Sequence, residues 1–169
     1  MASYEIDPQA SSIGLRFSPG LPGMGARGTG LRGTFDAVIG DDGVVDWSSD
    51  VRGSFELAVT ELSLGDSPGH RLATMGTRAW LDPSRYERIT GEIDGIEPDG
   101  PDRFACSVTI AVKDLEVTMR STGRFALVEG RPRATGRTVC DPRAFGVLVP
   151  PFLNLLVHVR WDVVLTEAR

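Results

Sequence analysis

Residues 104–119 read FACSVTIAVKDLEVTM, and this stretch decides the fold. Phe104, Cys106, Val108, Ile110 and Val112 alternate with small or polar neighbours, and the alternation resumes at Leu115, Val117 and Met119. A period of two is the mark of a strand with one greasy and one wet face, because successive side chains point to opposite sides of the pleat. Only Lys113-Asp114 separates the two runs, so they fold back as a tight antiparallel hairpin.

The same pattern spreads outward in both directions. It appears at Ile13, Leu15 and Phe17, at Leu31 to Ile39 and at Val51 to Val59, then at Phe125 and Leu127, and finally at Val157 to Leu165. Gly40-Asp41-Asp42-Gly43, Pro98-Asp99-Gly100-Pro101 and Glu129-Gly130 punctuate the runs as turns. Strand after strand without interleaved helices predicts one mainly β domain over residues 1–169, an antiparallel up-and-down barrel of about eight strands. Residues 28–39, read as one strand, would span roughly 40 Å, which suits a tall barrel. One segment departs from the pattern. Ser67 as N-cap, Pro68 in the first turn and Gly76 as the stop predict a short helix carrying Leu72 and Met75, with a further turn from Thr77 to Leu81, laid across one mouth.

Composition narrows the function. The formal net charge of −5 gives no electrostatic reason to approach a phosphate backbone or an anionic bilayer, so no nucleic-acid partner is expected. Cys106 and Cys140 stand singly in strand-like stretches and are read as small buried hydrophobes, a disulfide being the alternative. The opening MASYEIDP has neither a basic nor an apolar signal region, and no apolar run approaches the ~18 residues of a membrane span, so a cytoplasmic location is expected.

Gly28-Thr29-Gly30-Leu31-Arg32-Gly33 matches a dinucleotide-binding spacing, but that mechanism needs a helix N-terminus after it, and Thr34 to Ile39 reads as a strand. His70 and His158 are the only histidines; without a His-x-His or Cys-x-x-Cys pair no metal is expected. His158 shares parity with Arg160 and Asp162 and so faces outward. There is no Gly-x-Ser-x-Gly elbow, and no catalytic residue is assigned. Arg131, Arg133, Arg137 and Arg143 read as a solvated face, an anion or lipid-phosphate site being the alternative. The run from Pro150 to Val157 either caps the mouth or packs on a second subunit in a homodimer, or it touches a membrane transiently during loading.

In order along the chain, Tyr4-Glu5-Ile6-Asp7-Pro8 with Ser11 to Phe17, Gly30-Leu31-Arg32-Gly33-Thr34-Phe35, Trp80-Leu81-Asp82-Pro83-Ser84-Arg85-Tyr86, Phe145-Gly146 and the closing strand resemble the YceI family, the polyisoprenoid-binding, lipocalin-like barrels. The resemblance departs at Gly69, Glu87 and Arg143 and in the greasy 150–156 stretch, all at the mouth. It implies binding, storage or transport of a lipophilic small molecule: a polyisoprenoid, a prenylated quinone or a fatty-acid-like amphiphile. The alternative is a barrel enzyme that cyclises or isomerises such a metabolite in the same lumen. No cofactor is implied. The expected tunnel is formed by Phe17, Leu31, Phe35, Phe55, Leu57, Phe104, Val108, Ile110, Met119, Phe125 and Trp161, with Leu72, Met75, Trp80 and Phe145 closing one end.

Overall fold

The computed structural model describes residues 2–18, 25–64, 81–149, 151–152 and 154–168. Its strands are β1 (Ala2–Ile6), β2 (Ser12–Ser18), β3 (Gly25–Thr29), β4 (Arg32–Ala37), β5 (Arg52–Ala58), β6 (Leu62–Leu64), β7 (Arg88–Pro98), β8 (Arg103–Val112), β9 (Leu115–Val128), β10 (Arg131–Cys140) and β11 (Leu156–Glu167). All pairings are antiparallel.

These segments assemble into eight staves, three of them broken. β1 and β2 form one stave, β3 and β4 the next, β5 and β6 the third, each interrupted near its middle; β7 to β11 are the remaining five. Each stave pairs with its neighbours in the chain, and β11 returns to β1 and β2, so the sheet closes into an up-and-down barrel. The three breaks lie side by side. The Gly30 N–H donates to the Pro8 carbonyl at 3.2 Å, and a Cβ on Gly30 would stand 2.8 Å from Glu61 Oε1. Asp7, between β1 and β2, fastens this crease: its carboxylate accepts from the Gln9 and Ala10 amides and from Arg131 on β10. Beyond the crease, β6 pairs only with β3 among the described residues.

The pairing fixes two ends. β2, β6, β8 and β10 finish at the upper end; β4, β7 and β9 finish at the lower. Loop 38–51 folds over the lower end, burying Val45 and Val51 and laying Trp47 against Phe104 with ring centroids 5.3 Å apart. At the upper end the β10–β11 connection opens with a 3-10 turn, Pro142–Phe145, capped by the Asp141 carboxylate on the Arg143 amide.

Lys113-Asp114 turns as expected, both residues holding positive φ (53° and 62°), and Glu129-Gly130 does the same (53° and 74°). The single long strand expected over 28–39 is broken at Gly30-Leu31, because Gly30 (φ 76°) turns the chain at the crease. The helix expected over Ser67–Gly76, and all of the following turn except Leu81, lie outside the described residues. Among the described residues the only helical turns are 3-10, at Val59–Glu61 and Pro142–Phe145. Gly28 to Gly33 lead into β4, so no helix N-terminus faces them.

Candidate functional site: the barrel lumen

The inward parity of each stave is greasy, and the inward faces surround a cavity of about 200 Å³. One water centre needs only about 10–15 Å³, so the barrel is hollow beyond the ordinary packing defects of a core.

Cross-strand pairing of aromatic residues with glycines explains why large rings do not fill it. Phe35 stands opposite Gly53, Phe55 between Gly33 and Gly91, Phe104 opposite Gly123, and Trp161 opposite Gly136. Each aromatic therefore has a neighbour with no side chain, and its ring lies down over that neighbour along the wall. A Cβ on Gly91 would stand 2.9 Å or less from Phe55 Cζ, Cε1 and Cε2. A Cβ on Gly123 would be 2.7 Å from both Phe104 Cζ and Trp161 Cη2. Gly123 and Gly136 are themselves paired, so Phe104 and Trp161 converge over two glycines with centroids 6.2 Å apart.

Among the described residues the lining carries no Arg, Lys, His, Asp or Glu. Its inward polar atoms are bonded inside the wall. The Trp161 indole donates to Ser121 Oγ (3.1 Å), Ser121 Oγ donates to the Arg137 carbonyl (3.1 Å), and Thr138 Oγ1 donates to the Arg120 carbonyl (2.9 Å). Thr34 and Ser54, at one edge of the cavity, bond to each other. Cys106 and Cys140 line the cavity as free thiols; burial pushes both up to about 11, with Asp94 adding to the rise at Cys106 against the opposing pull of Arg120, and Asp141 adding to it at Cys140. Among the described residues a molecule in this lumen meets mostly carbon and sulfur, and the few hydroxyls there already hold partners in the wall.

Of the residues expected to form the tunnel, Phe17, Leu31, Phe35, Phe55, Leu57, Phe104, Val108, Ile110 and Trp161 line the cavity, as does Phe145 at the upper end. Phe125 does not. It is buried near the lower end, paired with Ala134, its amide donating to the Asp102 carbonyl. Met119 has the inward parity and packs against the core, but does not line the cavity. Leu72, Met75, Trp80 and His70 lie outside the described residues. The sequence reading missed Ile89 and Ile93 on β7 and the lower-end Ile6 and Ala134, all of which line the cavity. The isoleucines alternate at Ile89, Gly91 and Ile93, a signal present in the sequence; the β10 inward set of Ala134, Gly136 and Thr138 has none, being too small to read as greasy. Among the described residues no cluster of metal-ligating side chains exists, and no helix is long and apolar enough to cross a membrane.

Neither protein-family models nor curated proteins match the chain. Solved structures do. BcnA of Burkholderia cenocepacia superposes with a TM-score of 0.78 at 14% identity, over 95% of this chain and 99% of that one. The chain has the YceI-like fold. A polyisoprenoid-binding domain from Saccharophagus degradans, implicated in plant cell wall breakdown, gives 0.67 at 11% identity over 99% and 100% of the two chains. The Campylobacter jejuni YceI protein gives 0.60 at 10% identity over 80% and 81%. Among YceI-like barrels, then, this one shares the architecture with little of the sequence.

Proposed function

We propose that the barrel binds one long uncharged hydrocarbon chain, a polyisoprenoid or the tail of a prenylated quinone, and stores or carries it. The observation that carries this reading is a hollow lumen that is uncharged among the described residues and whose hydroxyl and indole groups hold partners within the wall. Each methylene-sized group moved from water into such a space gains about 0.8 kcal/mol, and a long chain offers many. An ionised carboxylate in the same space would lose its hydration with no cation to replace it, so a fatty-acid head group would have to remain at the mouth. The lower end is sealed by Val45, Trp47 and Val51, so the tail goes in first and the head group stays near Pro142, Phe145 and Val147. The description of the Saccharophagus domain as polyisoprenoid-binding supports the same ligand class.

The reading is non-enzymatic. A cyclase or isomerase lumen needs a group placed to move a proton or stabilise charge, and the two thiols, raised to about 11, together with the internally bonded hydroxyls, offer none at neutral pH.

The test is solvent extraction and native mass spectrometry of protein purified from its own host, followed by uptake of a fluorescent polyprenyl analogue from ethanol by delipidated protein. The expected result is a co-purifying neutral lipid and saturable uptake near one chain per barrel. Lipid-free protein from repeated preparations that also refuses the analogue would sink the proposal.

A further inference from the structure

The net charge of −5 is not spread evenly over this barrel. The lower connections carry Asp41, Asp42, Asp46 and Asp50, then Asp99 and Asp102, then Glu129, with no basic residue among them. The outer wall below the upper rim is the opposite. Arg137 on β10 stands directly across from Arg160 on β11, which continues through Gly14 to Arg27 on β3; one rung higher, His158 stands across from Arg16. Arg16, Arg27, Arg137 and Arg160 are all exposed, and none has a carboxylate partner among the described residues. Like charges placed directly opposite on a sheet repel one another, so this wall is unfavourable alone and is relieved by an anionic surface.

The basic wall rises into an apolar rim. Val139 shares the rung of His158 and Arg16, and Leu156 is exposed on the same outer face of β11. Above them the β10–β11 connection holds out Leu148 and Phe152, 73% and 86% exposed. Two large side chains held in water on one loop are a contact waiting for an apolar medium. We infer that this upper rim and basic wall form a docking face for an anionic phospholipid bilayer, with Leu148 and Phe152 entering the headgroup region and the arginines meeting lipid phosphates, while the acidic lower end points away. A polyanion without a greasy interior would satisfy the arginines and leave the loop exposed. The choice of a bilayer rests on the lumen reading: a long hydrocarbon resides in membranes, and the face lies toward the end of the lumen opposite the Val45, Trp47 and Val51 plug.

Cosedimentation with vesicles tests it, comparing pure phosphatidylcholine with phosphatidylcholine containing 30% phosphatidylglycerol. The expected result is binding to the anionic vesicles that falls steeply with added salt. R137Q/R160Q should weaken it on the order of twentyfold, from roughly fivefold per arginine near a charged surface, and L148S/F152S should reduce it to the level of neutral vesicles. Both variants should still take up the polyprenyl analogue from ethanol, since none of the four residues lines the lumen. Wild-type protein that ignores anionic vesicles overturns the proposal, as do variants that bind them equally well. A concentration-dependent dimer by light scattering that L148S/F152S abolishes also overturns it, assigning the rim to a second copy. Vesicle binding by a protein that accepts no analogue supports the docking face and removes the lumen reading alone.

Discussion

Gly91→Ala is the sharpest probe of how the lumen stays open, because two accounts predict opposite signs. In a strand with free space, alanine in place of glycine stabilises by roughly 0.5–1 kcal/mol through lost freedom of the unfolded chain. Gly91 has no free space: the new Cβ would sit within 2.9 Å of three Phe55 ring carbons, where ordinary carbon contacts need about 3.5–4.0 Å. The β5–β7 ladder blocks retreat behind the ring, so it must lift off the wall into the lumen. Forcing a well-packed side chain to move costs about 1–3 kcal/mol, which outweighs the backbone gain. A net loss of about 1–2 kcal/mol follows, lowering Tm by roughly 2–8 °C for a chain of this size. Uptake of the polyprenyl analogue should fall at the same time. Gly14→Ala is the control, since the nearest atom to its Cβ is the Arg160 carbonyl oxygen at 4.0 Å; it should be neutral or slightly stabilising. In Gly91→Ala/Phe55→Leu the smaller side chain removes the clash, so calorimetry should find the double variant more stable than the sum of the singles by about 0.5–3 kcal/mol. A Gly91→Ala protein as stable as wild type, or strict additivity, would refute the claim that rings lie over glycines.

Ile110→Trp places an indole in the cavity beside Val108 and Val112; uptake should drop at least tenfold while the far-ultraviolet circular dichroism keeps its β-barrel form, and unchanged uptake would mean the ligand lies elsewhere. Arg131, with the Gln9 and Ala10 amides, holds the Asp7 carboxyl below the usual carboxylate range. Its folded pKa being lowered, the stabilisation is full above about pH 4 and fades as pH falls through the folded value; Asp7→Asn should therefore cost about 1 kcal/mol at pH 7 and progressively less in acid, read from Tm against pH. Both lumen thiols, pushed up to about 11, should react with iodoacetamide at pH 8 on the order of a hundredfold slower than a free cysteine. A bound ligand should slow them further, whereas fast labelling of the native protein would contradict their burial.

The fold was legible where inward residues are large. β8, β9 and β11 announce themselves through Phe104 to Val112, Leu115 to Met119 and Val157 to Leu165, because a buried face of branched and aromatic residues alternates visibly. β10 lines the same lumen with Ala134, Gly136 and Thr138, whose smallness is the space into which Trp161 fits; its function erases its own signal. Parity also says nothing of height. Phe125 and Phe104 are both inward and buried, yet only Phe104 lines the cavity, a difference that strand parity cannot show. The aromatic–glycine rungs could not be read from spacing either, since they require the register of neighbouring staves. The Gly30-Leu31 break is likewise a property of three adjacent strands, where one sequence window sees continuous alternation.

The crease gives the wall a leaf. Among the described residues β2, β3 and β6 hang from β11 by one ladder, their far margin is the three-residue β6, and their link to the lower half passes through interrupted backbone at Asp7–Ser11, Gly30–Leu31 and Val59–Glu61. Opening that leaf breaks few hydrogen bonds compared with parting β8, β9 and β10, so its amides should exchange with deuterium through sub-global excursions while the opposite wall waits for complete unfolding. A cylinder hinged in this way can widen on one side without melting the half that keeps its shape.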